Sequence, residues 1–228
     1  MSVTLGEALG KNYVLNHAAE LTFTITPATV DAVWAHGDEA QTHFVYDGEI
    51  HNSEVTAEAV ALGADSLTLK TSEQSGKDFK AAGDYTFVAV IASGNDFGDY
   101  VLSEGTKTLS YKMNQRQVVI RANDAEMYYG ETPAIETTLG WKYASDSGIN
   151  SEVDPLYQFV AGDGVAIATF TYATTATSTS HKGEYITSIN ENALLTNYSV
   201  TYLPGEMTVK ARPIRVTIAD QESEYGYD

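Results

Sequence analysis

Short runs that alternate hydrophobic and polar residues recur along the chain, separated by turns. In one of them, Met207 and Val209 share a face, which is the period of two expected for a half-buried β-strand. Gly105 and the pair Pro204-Gly205 mark turns between such runs. The pattern predicts further strands at 21–26, 85–91, 108–112, 118–121, 185–189 and 214–218.

Three short signatures recur in a fixed order along the chain. Gly-acid-Tyr occurs at 83–85 and 183–185, and each copy opens a strand-like run. A second tyrosine, after Asn or Asp, follows at Tyr100 and Tyr198, with an earlier copy at Tyr13. Corners of an aromatic residue and glycine occur at 46–48, 128–131 and 225–227. This recurrence favours tandem repeats over one large domain.

The repeat boundaries are predicted near Pro27, Asn114 and Arg212-Pro213, because proline cannot continue a β-ladder. A repeat that is cut in mid-unit has an unpaired strand edge, so we expect both ends to be truncated. The absence of a secretion signal at 1–7 then carries little weight. The predicted order is the last strands of one repeat (1–26), two complete repeats (27–112 and 113–211), and the first strand and corner of another (212–228).

The fold predicted for each repeat is an Ig-like β-sandwich of about six to eight strands, since short strands punctuated by turns favour that class. The alternative is a β-grasp-like repeat with one short helix, around 151–159. Tyr85 and Tyr185 stand at strand starts after Gly-acid. This placement resembles the tyrosine corner of sandwich domains, in which the hydroxyl ties a loop to the backbone.

Charge and composition exclude several partners. The chain has 31 acidic and 13 basic residues and a net charge of −18, which repels nucleic acid and anionic lipid. It contains no cysteine, so neither a disulfide nor a thiolate metal site can form. No stretch approaches the roughly eighteen continuous apolar residues of a membrane-spanning helix, so we expect no membrane insertion.

Catalytic motifs are not evident in the sequence. There is no Gly-x-Ser-x-Gly elbow, no P-loop and no dinucleotide fingerprint, and Gly162-Asp163-Gly164 is interpreted as a turn signal alone. The acidic residues are spread along the turns, and small β-repeats rarely enclose the cleft that a pair of catalytic carboxylates needs. We therefore predict a protein that is not an enzyme and has no catalytic residues.

Metal and cross-link sites are weak candidates. Calcium is the main one, because the loops 94–99 and 123–126 concentrate oxygen ligands. The alternative, which the lack of a known ligand pattern favours, is that these loops are solvated acidic turns. Lys112 and Lys210 occupy near-equivalent strand positions and are candidates for an isopeptide bond or ordinary exposed charges. Otherwise no cofactor or metal ligand is predicted, and the spacing of the histidines does not indicate a zinc site. These histidines are His17, His36, His43, His51 and His181.

The order of strands, corners and tyrosines resembles the MBG-type repeats of bacterial cell-surface proteins. Tyr129-Gly130-Glu131 with Pro133, and later Tyr225-Gly226, resemble the variant named for its Tyr-Gly motif. Tyr46-Asp47-Gly48 resembles the YDG-type variant. The segment 145–180, rich in threonine and serine, matches no part of the pattern, and Asp99-Tyr100 replaces the usual Asn-Tyr.

The resemblance implies an extracellular protein, secreted or on the bacterial surface, and brings no catalytic residues with it. We expect spacer repeats that project an adhesive region, with adjacent repeats of the same chain as neighbours and no deep pocket. The alternative is that the repeats themselves bind a glycan or a host protein. That alternative predicts an exposed aromatic patch, for instance around Trp34 or Trp141.

Overall fold

The computed structural model describes residues 24–35, 42–94, 97–134, 139–166, 169–220, 222 and 225–226. Its strands are β1 (Ala28–Val30), β2 (Ala32–Trp34), β3 (His43–Val45), β4 (Ala57–Ala59), β5 (Leu67–Glu73), β6 (Gly83–Gly94), β7 (Tyr100–Leu102), β8 (Thr108–Asn114), β9 (Arg116–Ala122), β10 (Ala125–Tyr128), β11 (Trp141–Tyr143), β12 (Ser145–Asp146), β13 (Ile149–Asn150), β14 (Tyr172–Thr174), β15 (Gly183–Ile189), β16 (Tyr198–Leu203) and β17 (Gly205–Lys210). The predicted all-β class is confirmed.

Helical structure in the described chain is limited to single 3₁₀ turns. They are Asn52–Glu54, Phe97–Asp99, Pro155–Tyr157 and Ala161–Asp163. The turn at Pro155–Tyr157 lies where the β-grasp alternative placed a short helix. Asp154 caps this turn, because its side chain accepts a hydrogen bond from the Leu156 amide at 2.9 Å. The Ig-like packing of the sheets stays a prediction.

The chain forms two compact units. Unit 1 draws its described residues from Met1–Ala35, Thr56–Ser72 and Val88–Leu109, and unit 2 from His36–Val55, Glu73–Phe87 and Ser110–Asp228. In unit 1, β1 pairs with β7 in parallel and β2 pairs with β4 in antiparallel. In unit 2, the sheets have the orders β11–β9–β16, β10–β17–β15–β14 and β12–β13. A further sheet has the order β3–β8–β6–β5.

The same strand pairings occur in 27–112 and in 113–211. The opening strand pairs in parallel with the strand of the second tyrosine, as β1 with β7 and β9 with β16. The corner strand pairs in parallel with the last strand, as β3 with β8 and β10 with β17. Parallel pairing differs from the antiparallel sheets of immunoglobulin domains, and the alternating pattern alone did not predict it.

The two tryptophans occupy complementary places in these pairings. Trp34 of β2 lies opposite Ala57 of β4, whereas Ala122 of β9 lies opposite Trp141 of β11. The opening strand therefore supplies the large residue in one copy and the small residue in the other. A large side chain across from a small one preserves the volume of the layer in both places.

The core of unit 2 contains fully buried aliphatic and aromatic side chains. Val118, Val119 and Ile120 of β9 have 0% relative exposure. A second cluster joins Met127, Leu139, Ala176, Met207 and Val209. Met207 and Val209 therefore face inward together, as their alternation predicted.

The predicted strand at 214–218 is wrong. The residues are described, but they carry no regular structure, and Ile214, Val216 and Ile218 are 76–86% exposed. The equivalent strand β9 lies between β11 and β16, and residues 212–220 have no such partner strands among the described residues. An isolated strand leaves its backbone groups unpaired, so alternation alone does not make it form.

The N-terminal predictions fall largely outside the described residues. Tyr13, His17 and the start of the strand predicted at 21–26 belong to residues 1–23, which the structure does not describe. Residues 24–27 have no regular structure, and Ile25 is 90% exposed. The repeat boundaries drawn from the sequence stay a prediction.

Candidate functional site

The tyrosine corners predicted at the Gly-acid-Tyr motifs are confirmed. The Tyr85 hydroxyl donates to the Ala81 carbonyl at 2.7 Å, and the Tyr185 hydroxyl donates to the His181 carbonyl at 2.9 Å. Both acceptors lie four residues upstream of the tyrosine. Each hydroxyl ties the approaching loop to the start of its strand, so these tyrosines are structural.

The second tyrosine of each copy holds a different loop. The Tyr198 hydroxyl accepts a hydrogen bond from the Val160 amide at 2.9 Å and donates to Asp163 Oδ2 at 2.5 Å. Tyr100 makes the same pair of contacts, accepting from the Leu62 amide at 3.2 Å and donating to Asp65 Oδ2 at 2.5 Å. In both copies the carboxylate lies three residues after the amide. We call this arrangement the tyrosine–aspartate loop.

In unit 2, a third residue joins the loop of Tyr198. The hydroxyl of the corner residue Tyr46 lies 3.0 Å from Oδ1 and 2.9 Å from Oδ2 of Asp163. The Tyr46 and Tyr198 rings meet edge to face, with centroids 5.5 Å apart. Asp163 therefore accepts hydrogen bonds from both tyrosines. We call these three residues the tyrosine junction, and all of them belong to unit 2.

Backbone contacts reinforce the tyrosine junction. Gly48, with φ of +88°, approaches Val160 so closely that a Cβ at this position would lie 2.8 Å from Val160 Cγ1. Glycine is favoured there both by the backbone angle and by the lack of space. Arg116 Nη1 donates to the Tyr46 carbonyl at 3.3 Å, and Nη2 donates to the Pro155 carbonyl. The corner is thus held on both sides by residues of 113–211.

Burial keeps both junction tyrosines in the form that can donate a proton. Tyr46 is 2% exposed and Tyr198 is 5% exposed. Desolvation raises the pKa of each phenol, and the hydrogen bond to the Asp163 carboxylate raises it further. Both hydroxyls therefore stay protonated at neutral pH. A charged acceptor strengthens these bonds relative to neutral pairs.

The interpretation of Gly162-Asp163-Gly164 as a turn alone is wrong. Asp163 does end a 3₁₀ turn, and Gly164 has a left-handed backbone, but its carboxylate is also the acceptor shared by the two tyrosines. A signal for this role exists in the sequence. Leu62-Gly63-Ala64-Asp65 and Val160-Ala161-Gly162-Asp163 share an apolar residue, two small residues and an aspartate.

The tryptophans do not form the exposed patch that the ligand-binding alternative predicted. Trp34 is 9% exposed, and its Nε1 donates to the Thr106 carbonyl at 2.8 Å. Trp141 packs edge to face on Tyr143 and Phe159, at centroid distances of 5.1 and 5.6 Å. Trp34 is buried and Trp141 is half-buried among these rings, so neither belongs to an exposed aromatic patch.

The acidic loops that suggested calcium have other contacts. Asp124 accepts a hydrogen bond from the Glu206 amide at 2.9 Å, and the Glu126 carboxylate pairs with the Lys210 ammonium. No group of three His, Asp or Glu side chains suited to a metal occurs among the described residues. Residues 95–96 of the other loop lie outside the described residues, and calcium binding stays a prediction.

The lysines considered for an isopeptide bond are not enclosed. Lys112 is exposed, and the side chain of Lys210 is 44% exposed beside Glu126. An isopeptide bond needs the lysine and its acceptor packed against a buried acid, and neither lysine has that environment. Both lysines are therefore ordinary strand charges.

Of the histidines, His51 has the most specific environment. Its Nδ1 lies 2.7 Å from Glu54 Oε1, and its Nε2 lies 3.0 Å from Asp47 Oδ1. Burial lowers the pKa of His51, but the two carboxylates raise it by more, so it lies above the ordinary value of 6.5. His43 and His181 are exposed. His17 and His36 lie outside the described residues.

His51 should make the stability of unit 2 depend on pH. Because its pKa is raised by folding, its contribution is complete below pH 6.5 and is lost as pH rises through the folded value. We expect His51→Gln to lower the free energy of unfolding by up to about 1 kcal/mol more at pH 5.5 than at pH 8.5, since the carboxylates are half exposed. Urea unfolding at both pH values measures this difference.

The control for this prediction is His181→Gln, which changes an exposed histidine. It should show no difference between the two pH values. An effect of His51→Gln that is equal at both values, or larger at pH 8.5, would contradict the charged pairing with Asp47 and Glu54.

One open concavity of unit 2 could admit a small ligand. It has a volume of about 410 Å³, and its lining includes Glu191, Asn192, Leu195 and Tyr202. The polar groups there are partly used, since the Tyr202 hydroxyl accepts from the Asn192 amide at 3.4 Å and Asn192 Nδ2 donates to the Thr169 carbonyl at 2.7 Å. The concavity is shallow and wide. Burial raises the pKa of the Tyr202 phenol that lines it, and the nearby Glu191 carboxylate also acts to raise it.

The fold and these contacts define a small all-β repeat whose motif tyrosines serve to hold loops. Residues 118–208 match the family model of the MBG domain (YGX type). This match agrees with the MBG-type resemblance that the sequence predicted for this part of the chain. No curated protein matches the chain.

The family match gives a coarse statement of function. MBG-type repeats are domains of surface proteins, are usually found in extracellular proteins, and are not known for enzymatic activity. In the described part of the chain, no helix is both long and apolar enough to cross a membrane. The YDG-type resemblance of 27–112 stays a prediction.

Proposed function

We propose that this chain is a non-catalytic structural spacer of a secreted or surface-anchored bacterial protein, whose repeats project an adhesive region. The single observation that carries the proposal is the tyrosine junction. Tyr46 belongs to the first predicted repeat, and Asp163 and Tyr198 belong to the second. Their contacts join the two predicted repeats inside one compact unit, which is what a spacer requires.

The use of the motif residues supports the same proposal. A ligand-binding module needs aromatic or polar groups that remain available to a partner. Here Tyr85, Tyr185 and Tyr198 are committed to loops, and Trp34 is buried. The residues that give the repeats their sequence signature are therefore fold determinants. The charge of −18 adds solubility and repels anionic surfaces.

A glycan-array screen of the full chain, with and without calcium, tests the proposal. A spacer should bind no glycan at micromolar concentration in either condition. Micromolar binding that Tyr202→Ala abolishes would overturn the pure spacer and assign the concavity around Asn192 as a sugar site. The matched control is Tyr128→Ala, which removes a tyrosine that is 44% exposed and away from the concavity lining.

A further inference from the structure

The second Tyr-Gly corner has the same backbone frame as the first. The Tyr46 amide donates to the Asn114 carbonyl at 3.0 Å, and the Tyr129 amide donates to the Lys210 carbonyl at 2.9 Å. In each case the residue before the tyrosine pairs with the last residue of the final strand, Val45 with Asn114 and Tyr128 with Lys210. Tyr129 is therefore the positional equivalent of Tyr46.

The arginine that follows is equivalent as well. Arg116 lies two residues after Asn114 and donates to the Tyr46 carbonyl. Arg212 lies two residues after Lys210, and a Cβ on Gly130 would come within 3.2 Å of its Nη1. Both arginines thus lie against their corner, at the start of the next predicted repeat.

The two corners differ in what covers them. Tyr46 is 2% exposed because the tyrosine–aspartate loop of the second predicted repeat encloses it, whereas Tyr129 is 45% exposed. Among the described residues, the Tyr129 hydroxyl has no hydrogen-bond partner. By the same spacing, Ile214 and Val216 stand at the positions of Val118 and Ile120, which are 0% exposed.

We propose that Tyr129, Arg212 and the apolar face of 214–218 form a docking surface for a following repeat of the same type. The aspartate of its tyrosine–aspartate loop would accept a hydrogen bond from the Tyr129 hydroxyl, as Asp163 accepts one from the Tyr46 hydroxyl. Its equivalents of β11 and β16 would convert 214–218 into a central strand. The partner is defined by the chemistry of its loop. A backbone amide donates to a tyrosine hydroxyl, and an aspartate three residues later accepts a hydrogen bond from that hydroxyl, as Asp65 and Asp163 do.

This inference deepens the proposed spacer function and rests on it. The equivalent surface at Tyr46 and β9 is already covered within unit 2, by residues of 113–211. Ile214, Val216 and Ile218 are 76–86% exposed, and exposure of three such apolar side chains close together is unfavourable in water. Docking of a further repeat would bury that face and satisfy the Tyr129 hydroxyl together.

The test uses a chain in which residues 1–226 are followed by a second copy of residues 131–211. Residues 212–226 and the added segment together make a complete third repeat. Amide hydrogen exchange of 214–218 is measured in the original and the extended chains. We expect exchange at Val216 to slow by at least about 100-fold in the extended chain, because a paired central strand opens rarely. Exchange at an unchanged rate would overturn the inference, including the case in which the added segment fails to fold.

A second measurement tests the role of Tyr129. In the extended chain, Tyr129→Phe should speed exchange at Val216 about tenfold, while in the original chain it should change nothing. Tyr128→Phe is the matched control, since Tyr128 is 44% exposed and adjacent. Equal effects of the two substitutions would overturn the docking of Tyr129. Glycan binding on the array would refute the spacer function without altering these exchange rates, so the two failures are distinguishable.

Discussion

Replacing Tyr46 by alanine should lower the free energy of unfolding of unit 2 by about 4 kcal/mol. The substitution removes a ring that is 2% exposed, its edge-to-face contact with Tyr198 and its hydrogen bonds to Asp163. Tyr46→Phe keeps the ring and should cost about 1.5 kcal/mol, the value of a hydrogen bond to a charged acceptor.

Urea unfolding in a Trp34→Phe background measures this effect, because Trp141 then reports on unit 2 alone. Tyr128→Ala provides the control at an exposed corner position and should stay within about 0.5 kcal/mol of the parent. If Tyr46→Ala were as mild as that control, the corner tyrosine would not hold the junction.

Phe79→Ala is expected to cost a similar amount, about 4 kcal/mol. Phe79 is 0% exposed and lies at the centre of an aromatic cluster in unit 2. Its ring centroid lies 4.8 Å from that of Tyr85 and 5.0 Å from that of Phe44. Removing the ring leaves a cavity among rigid neighbours that cannot collapse into it.

The same fluorescence assay measures the loss, with Lys80→Ala as the control at an exposed neighbour. Phe79→Leu, which retains most of the volume, should cost about 1.5 kcal/mol. A cost below 1 kcal/mol for Phe79→Ala would mean that the cluster around Tyr85 is not the core of this part of unit 2.

Most of the strands could be predicted from the sequence, because period-two alternation and turn residues are local signals. The strands at 85–91, 118–121, 185–189 and 207–210 all form. The tyrosine-corner role of Tyr85 and Tyr185 could also be predicted, since the carbonyl that accepts each hydroxyl lies only four residues upstream in the chain. The strand at 214–218 was not, because its existence depends on partner strands and not on its own alternation.

The residues that matter most in unit 2 carry no local signal. Phe79 stands alone in the polar run Lys77-Asp78-Phe79-Lys80, so no periodicity marks it as core. Asp163 meets Tyr46 across 117 residues, a distance that only the fold closes. Comparing 62–65 with 160–163 would have shown a recurring aspartate, but not that a second tyrosine reaches it.

The central claim is that the corner tyrosine of one predicted repeat is coupled to the tyrosine–aspartate loop of the next. A double-mutant cycle on the full chain, with Tyr46→Phe and Asp163→Ala singly and together, measures that coupling most directly. We predict a coupling energy of about 1 kcal/mol in the unfolding of unit 2, since the pair shares a charge-assisted hydrogen bond. Additivity within about 0.3 kcal/mol would contradict the account.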